Sequence, residues 1–300
     1  MQLSKRLYAA MLMVSLAFLE LPISGLLNPA SAQVPKPWQM GMGQSFSPVK
    51  ERIVDLHNLV LVIITGITVF VAILLLWVML RFNEKAHPAP SRTSHNTALE
   101  VAWTLIPVLI LVVIAIPSFR LVYYEDRTQE ADLTIKVTGH QWNWEYTYPD
   151  NNGLNFSSYI VPDDQLKPGQ LRLLEVDNEL VVPAGKNIRV LTNSVDVIHS
   201  FFVPSLGMQR YAIPGRAIET WFNATKPGTY HGQCNQVCGT NHSRMPIVIH
   251  AVTPVEFDAW LAEAKTKFAQ NSPKDPAKAT ADAKLAAPAA KNITLAEVQH

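Results

Sequence analysis

Two long uncharged apolar runs and a later field of short β-type segments divide the chain. Residues 59–80 are 22 positions without a charge, and residues 101–119 are 19 more. About 20 apolar residues carry a helix across the hydrocarbon core, so the runs predict a two-helix transmembrane hairpin over 57–121. A shorter apolar run, 7–19, follows Lys5 and Arg6 and precedes Ala30-Ser31-Ala32. A charged start, a short apolar stretch and a small-residue site predict a signal peptide over 1–32. No cysteine stands at that site, so no lipid anchor is expected. Residues 33–56 then form a segment outside the membrane.

Beyond 121 the pattern changes. The runs LTIKVTGHQWNWEYTY, LRLLEVDNELVVP, NIRVLTNSV, ETWFNATKPGTYHG and MPIVIHAVT are rich in β-branched and aromatic residues and broken by Pro, Gly, Asn and Asp. Such segments with no helical spacing between them predict an all-β sandwich or barrel over 122–266. VEFDAWLAEAKTKF, after Pro254, has helical spacing and predicts a helix against that domain. Residues 267–300 turn to Ala, Lys and Pro and predict a disordered tail.

Charge adds direction. The loop 81–98 carries Arg81, Lys85 and Arg92 against Glu84. Basic short loops stay in the cytoplasm, which puts the β-domain outside, in a bacterium's periplasm. The formal net charge is +1, and no bulk field points to nucleic acid.

The only two cysteines, Cys234 and Cys238, lie in GQCNQVCGTNHSRM with His242 and Met245 close behind. A disulfide across so short a loop gains little entropy and leaves the histidine and methionine unexplained. Zinc wants four Cys, His or carboxylate ligands; three are here, and a distant histidine would be the fourth. Methionine suits copper better than zinc. A single blue-copper site uses one cysteine, and this loop has two. Two thiolates instead suit a bridged pair of coppers, each needing a histidine and a weak axial ligand. His199, in VDVIHSFFVPSLG, supplies a second histidine, expected in a loop after NIRVLTNSV. The assembled spacing is H-x34-C-x3-C-x3-H-x2-M.

Several of these stretches resemble subunit II of the haem–copper cytochrome c oxidases. They are LEVAWTLIP, GHQWNWEYTYPD, LLEVDNELVVP, DVIHSFFVPSLGMQRYAIPGR and PGTYHGQCNQVCGTNHSRMPIVI, and the likeness runs from about 45 to 262. The resemblance implies a membrane-anchored, cupredoxin-like Greek-key β-barrel in the bacterial inner membrane. It implies a dinuclear copper centre, CuA, held by His199, Cys234, Cys238, His242, Met245 and the backbone carbonyl of Gln236. The family commonly has glutamate at that last position, where its carboxylate helps hold magnesium beside subunit I. A neutral amide is a weaker partner for a hard cation, so the resemblance leaves magnesium open.

Further roles come only from the resemblance. Trp142 would receive the electron from cytochrome c. The alternation Trp142, Trp144, Tyr146, Tyr148 puts all four on one strand face. Asp177 and Asp196, with Glu179 as a further candidate, would face the lysine-rich surface of cytochrome c. Glu100, at the cytoplasmic start of the second helix, would stand at the mouth of a proton channel in subunit I. The implied partners are subunits I and III, cytochrome c and the lipid bilayer, with haem in subunit I only. The remaining histidines, among them His57, His140, His231 and His250, fit no ligand pattern and read as structural or surface groups.

Overall fold

The computed structural model describes residues 38–39, 41–89, 92–128 and 130–269. The expected signal peptide and most of the expected tail lie outside the described residues.

The first long helix, α1, spans Pro48–Arg81. Ser47 caps it, its hydroxyl accepting from the Lys50 N–H, and Pro48 supplies a preset φ at the first turn. The second, α2, spans Thr97–Asp126 and is capped by Asn96. Both helices exceed their uncharged runs because polar turns at each end add helix that stays outside the hydrocarbon. Along both, the apolar side chains face outward: Phe70, Leu75 and Leu80 on α1, Trp103, Leu111 and Phe119 on α2 are all exposed. Among the described residues no protein core covers them, which is how a helix is built for lipid.

Among the described residues, ten strands follow in two five-stranded sheets. They are β1 (Leu133–His140), β2 (Asn143–Tyr148), β3 (Leu154–Ser158), β4 (Leu180–Pro183), β5 (Ile188–Ser194), β6 (His199–Val203), β7 (Met208–Ala212), β8 (Ile218–Phe222), β9 (Gly228–Cys234) and β10 (Pro246–Val252). One sheet runs β3-β2-β1-β5-β8 and the other β4-β10-β9-β6-β7. Most pairs are antiparallel, but β1 runs parallel to β5 and β4 to β10. The inner faces meet in one core that includes Ile135, Val137, Trp144, Tyr146, Tyr148, Phe201, Ile247 and Ile249. A last helix, α3 (Pro254–Lys267), lays Phe257, Leu261 and Ala264 on this core and opens with a capping box between Thr253 and Glu256. The all-β domain behind a two-helix hairpin is therefore present.

Three expectations change. Trp142 does not share the strand face of Trp144, Tyr146 and Tyr148; it stands in the turn between β1 and β2, while the other three are fully buried. His199 is the first residue of β6, not a loop residue. In LRLLEVDNELVVP, only Leu180–Pro183 is strand; Val176 makes a single bridge to Ile160.

Candidate metal centre

Three elements bring the chemistry to one end of the sandwich. β6 begins with His199, β9 ends with Cys234, and the loop from β9 to β10 carries Cys238, His242 and Met245. The strands β6 and β9 are paired, with Phe201 opposite Cys234. That register fixes the first histidine beside the first thiol, although 34 residues separate them in the chain.

The two sulfurs lie 3.9 Å apart. A disulfide needs about 2.05 Å, and both cysteines are free and buried. Around them stand four other donors. His199 Nδ1 is 3.9 Å from Cys234 Sγ, and His242 Nδ1 is 3.5 Å from Cys238 Sγ. Met245 Sδ is 3.5 Å from Cys238 Sγ, and the Gln236 carbonyl oxygen is 3.3 Å from Cys234 Sγ. The ligating atoms of His199, Cys234 and Cys238 all lie within 4.8 Å of one another. Two thiols, two imidazoles and a thioether, with one carbonyl oxygen beside them, fit a thiophilic metal such as copper better than a hard cation.

Electrostatics favour the same end. Burial pushes both thiols up. At Cys234 the His199 ring and nearby backbone groups overcome this and bring the thiol down to about 7. Cys238, buried and facing the first sulfur, is pushed up to about 12. One thiolate forms readily and discourages the second; a bound cation removes that conflict and drives off both protons.

The surroundings hold the donors in place. Asp196 Oδ1 is 2.9 Å from His199 Nε2, which leaves Nδ1 turned to the sulfur. This carboxylate also accepts from the N–H groups of Gln141 and Val197. Its inward bonds make Asp196 a support for His199 before anything else. Trp144 donates from Nε1 to the Met245 carbonyl at 3.2 Å and stands edge-on to the His199 ring. Trp142 donates from Nε1 to the Cys238 carbonyl at 3.2 Å, so the turn that carries it rests on the cysteine loop. Gly139 and Gly232 are close-approach positions that the sequence pattern did not single out. A Cβ on Gly139 would come within 2.8 Å of His199 Cδ2, and one on Gly232 within 2.2 Å of the Phe202 carbonyl. No local signal marks them, because their neighbours arrive from other strands.

The other predicted residues lie elsewhere. Asp177 is exposed, and its carboxylate accepts from the Tyr159 N–H at 2.7 Å. Glu179 is 3.0 Å from His250 and half-committed to that pair. Glu100 is in the first turn of α2, remote in the chain from the metal donors. His231 is partly buried beside Glu175 at 3.6 Å.

The chain matches two family descriptions. Residues 35–121 match the cytochrome c oxidase subunit II transmembrane domain, and 133–252 match its periplasmic domain. A probable cytochrome c oxidase subunit 2 of Rickettsia bellii is 49% identical over 240 residues, covering 80% of this chain and 89% of that one. Cytochrome c oxidase subunit 2 of Zea mays is 45% identical over 233 residues, covering 76% and 90%. The crystal structure of the periplasmic domain of cytochrome oxidase subunit II from Bradyrhizobium japonicum is 50% identical, with a TM-score of 0.45, covering 47% of this chain and 99% of that one. By identity, coverage and the matched hairpin and β-domain together, this chain belongs to the cytochrome c oxidase subunit II family.

Proposed function

We propose that the chain is the electron-receiving subunit of a respiratory oxidase. Cytochrome c delivers electrons to a dinuclear CuA centre, and they pass on to haem in subunit I, where oxygen is reduced to water with proton translocation. The observation that carries this reading is the pair of free thiols 3.9 Å apart, flanked by His199, His242, Met245 and the Gln236 carbonyl. These six residues would hold the metal pair. A copper pair held there would supply one-electron transfer.

The chain's own groups provide the rest. Trp142, half-exposed and hydrogen-bonded to the Cys238 carbonyl, offers a short route from the surface to the ligand loop. Val237, 78% exposed between the two cysteines, gives the same end an apolar contact for a docking partner. Asp177 would steer the basic donor. Asp196 would do so only with what its inward bonds leave free. Glu100, on the helix end away from the β-domain, is assigned to proton uptake with subunit I. Subunit III and the lipid bilayer complete the assembly, with the β-domain in the periplasm. A magnesium ion at the boundary with subunit I would meet the neutral amide of Gln236 where the family resemblance implies a carboxylate.

The test is copper loading of the full chain in detergent, with the copper-to-protein ratio and the electron paramagnetic resonance spectrum as readouts. Two coppers per chain sharing one unpaired electron are expected, with hyperfine splitting from both nuclei. Cys238→Ser should abolish that signal while the β-domain stays folded. One copper per chain, or a normal signal in the variant, would overturn the dinuclear assignment.

A further inference from the structure

The turn between β1 and β2 holds a residue with bonds to both halves of the metal centre. The Gln141 backbone N–H donates to Asp196 Oδ2 at 2.6 Å, and Asp196 in turn holds His199 at 2.9 Å. The Gln141 side chain reaches the other way, its Nε2 donating to the Cys238 carbonyl at 2.8 Å. That carbonyl also accepts from the Trp142 indole at 3.2 Å, so two neighbouring side chains fill both of its lone pairs. The approach is close. A Cβ on Gly239 would come within 3.0 Å of Trp142 Cζ2 and 3.1 Å of Gln141 Nε2, and Gly239 itself has a φ of +119°. Nothing larger fits between the turn and the cysteine loop.

We infer that Gln141 is a positioning residue for the metal centre: its side-chain amide fixes the Cys238 carbonyl, and with it the orientation of the Cys238 thiol. This rests on the copper reading given above. The physical case is that a ligand's outer partners set its direction and its electron density. Cys238 sits on a loop without strand pairing between Cys234 and Pro246, so its backbone has few other restraints. A donated hydrogen bond to its carbonyl restrains the peptide that carries the thiol. The backbone bond from Gln141 to Asp196 survives any side-chain substitution, so the two supports can be separated.

The experiment compares the full chain with Gln141→Leu and Gln141→Glu in detergent. Leucine removes the donor. Glutamate keeps the shape but places an acceptor against an acceptor. Three readouts are taken: copper dissociation into a chelator, the copper hyperfine couplings, and amide hydrogen exchange of residues 235–241 in the metal-free chain. Gln141→Leu should release copper roughly ten times faster and exchange the loop amides several-fold faster. Gln141→Glu should do more of both and shift the hyperfine couplings. The denaturant midpoint of the metal-free chain should stay near that of the wild type. The inference is overturned if couplings and release stay unchanged, which would make Gln141 a surface residue. It is equally overturned if the metal-free midpoint falls in proportion to copper affinity, which would make it a general stabiliser. A wild-type chain that bound no copper pair would sink the copper reading instead. The exchange measurement would still decide whether Gln141 restrains the loop.

Discussion

At the scale of single residues, the donors were legible and their supports were not. Cys234, Cys238, His242 and Met245 fall within twelve consecutive residues, so their common purpose shows in the spacing. Asp196, three residues before His199, was expected near the copper end as a docking acid for cytochrome c. Its bond to His199 Nε2 and the one it receives from the Gln141 backbone, 55 positions away, appear only in the fold. Asp196→Asn keeps the shape but removes the charge facing the imidazole. Copper affinity is expected to fall about 10- to 100-fold, measured by competition with a chelator of known strength; an unchanged affinity would return Asp196 to the docking face. Gly139→Ala tests packing at the same ring. The added methyl meets His199 Cδ2 at 2.8 Å, and the fully buried ring has nowhere to retreat. A stability loss of about 1–3 kcal/mol is expected, with weaker copper binding. Both are read from one denaturation series with and without metal.

At the scale of elements, legibility followed length and context. The two membrane helices declare themselves because a bilayer demands one continuous apolar run. β1, β2, β5 and β10 were read as strands because β-branched and aromatic residues cluster in them. β3, β6 and β7 were not read. Leu154–Ser158 is short and polar at alternate positions, and His199–Val203 looked like a ligand loop. Their strand form comes from pairing: β3 with β2, and β6 between β7 and β9. The same pairing puts His199 at a strand start, where it is more rigid than a loop would make it. The closing helix α3 is the opposite case, predicted from spacing and held by local chemistry. Thr253 and Glu256 cap each other's backbone N–H groups at 3.4 and 2.9 Å. Thr253→Ala should lower the stability of the β-domain by about 1 kcal/mol and leave copper binding untouched, since α3 packs against the core near β4 and away from the cysteine loop. A change in the copper spectrum of this variant would show coupling that the contacts do not provide.

At the scale of the whole molecule, the question is how a β-domain keeps its orientation on a two-helix anchor. The hairpin and the domain were each legible, but the junction was not, because it is made of single residues far apart in sequence. Two sets of contacts form it. At the start of α1, the Phe46 backbone donates to the Ser205 carbonyl at 3.2 Å and accepts from the Thr225 N–H at 2.9 Å, and the Ser47 hydroxyl donates to the Leu206 carbonyl at 2.5 Å. At the end of α2, Asp126 pairs with Arg210, and the Trp221 indole donates to the Tyr124 carbonyl at 3.1 Å while stacking edge-on against that ring. The first set is backbone-rich and mostly buried; the second depends on the side chains of Arg210, Asp126 and Trp221 and includes an exposed carboxylate. An ion pair of that kind contributes about 0–1 kcal/mol, and a neutral hydrogen bond about 0.5–1.5 kcal/mol. Neither Asp126→Asn nor Trp221→Phe alone should therefore free the domain. Together they remove the charge of one polar link and the hydrogen bond of the other, leaving weakened α2 contacts and the α1 side as a hinge. The expected result is unchanged amide hydrogen exchange at residues 121–127 in each single variant. In the double variant exchange there should be at least several-fold faster, with the core strands β1 and β9 still protected. If the double variant exchanged like the wild type, the α1 contacts would suffice to fix the domain, and the α2 contacts would be incidental to its orientation.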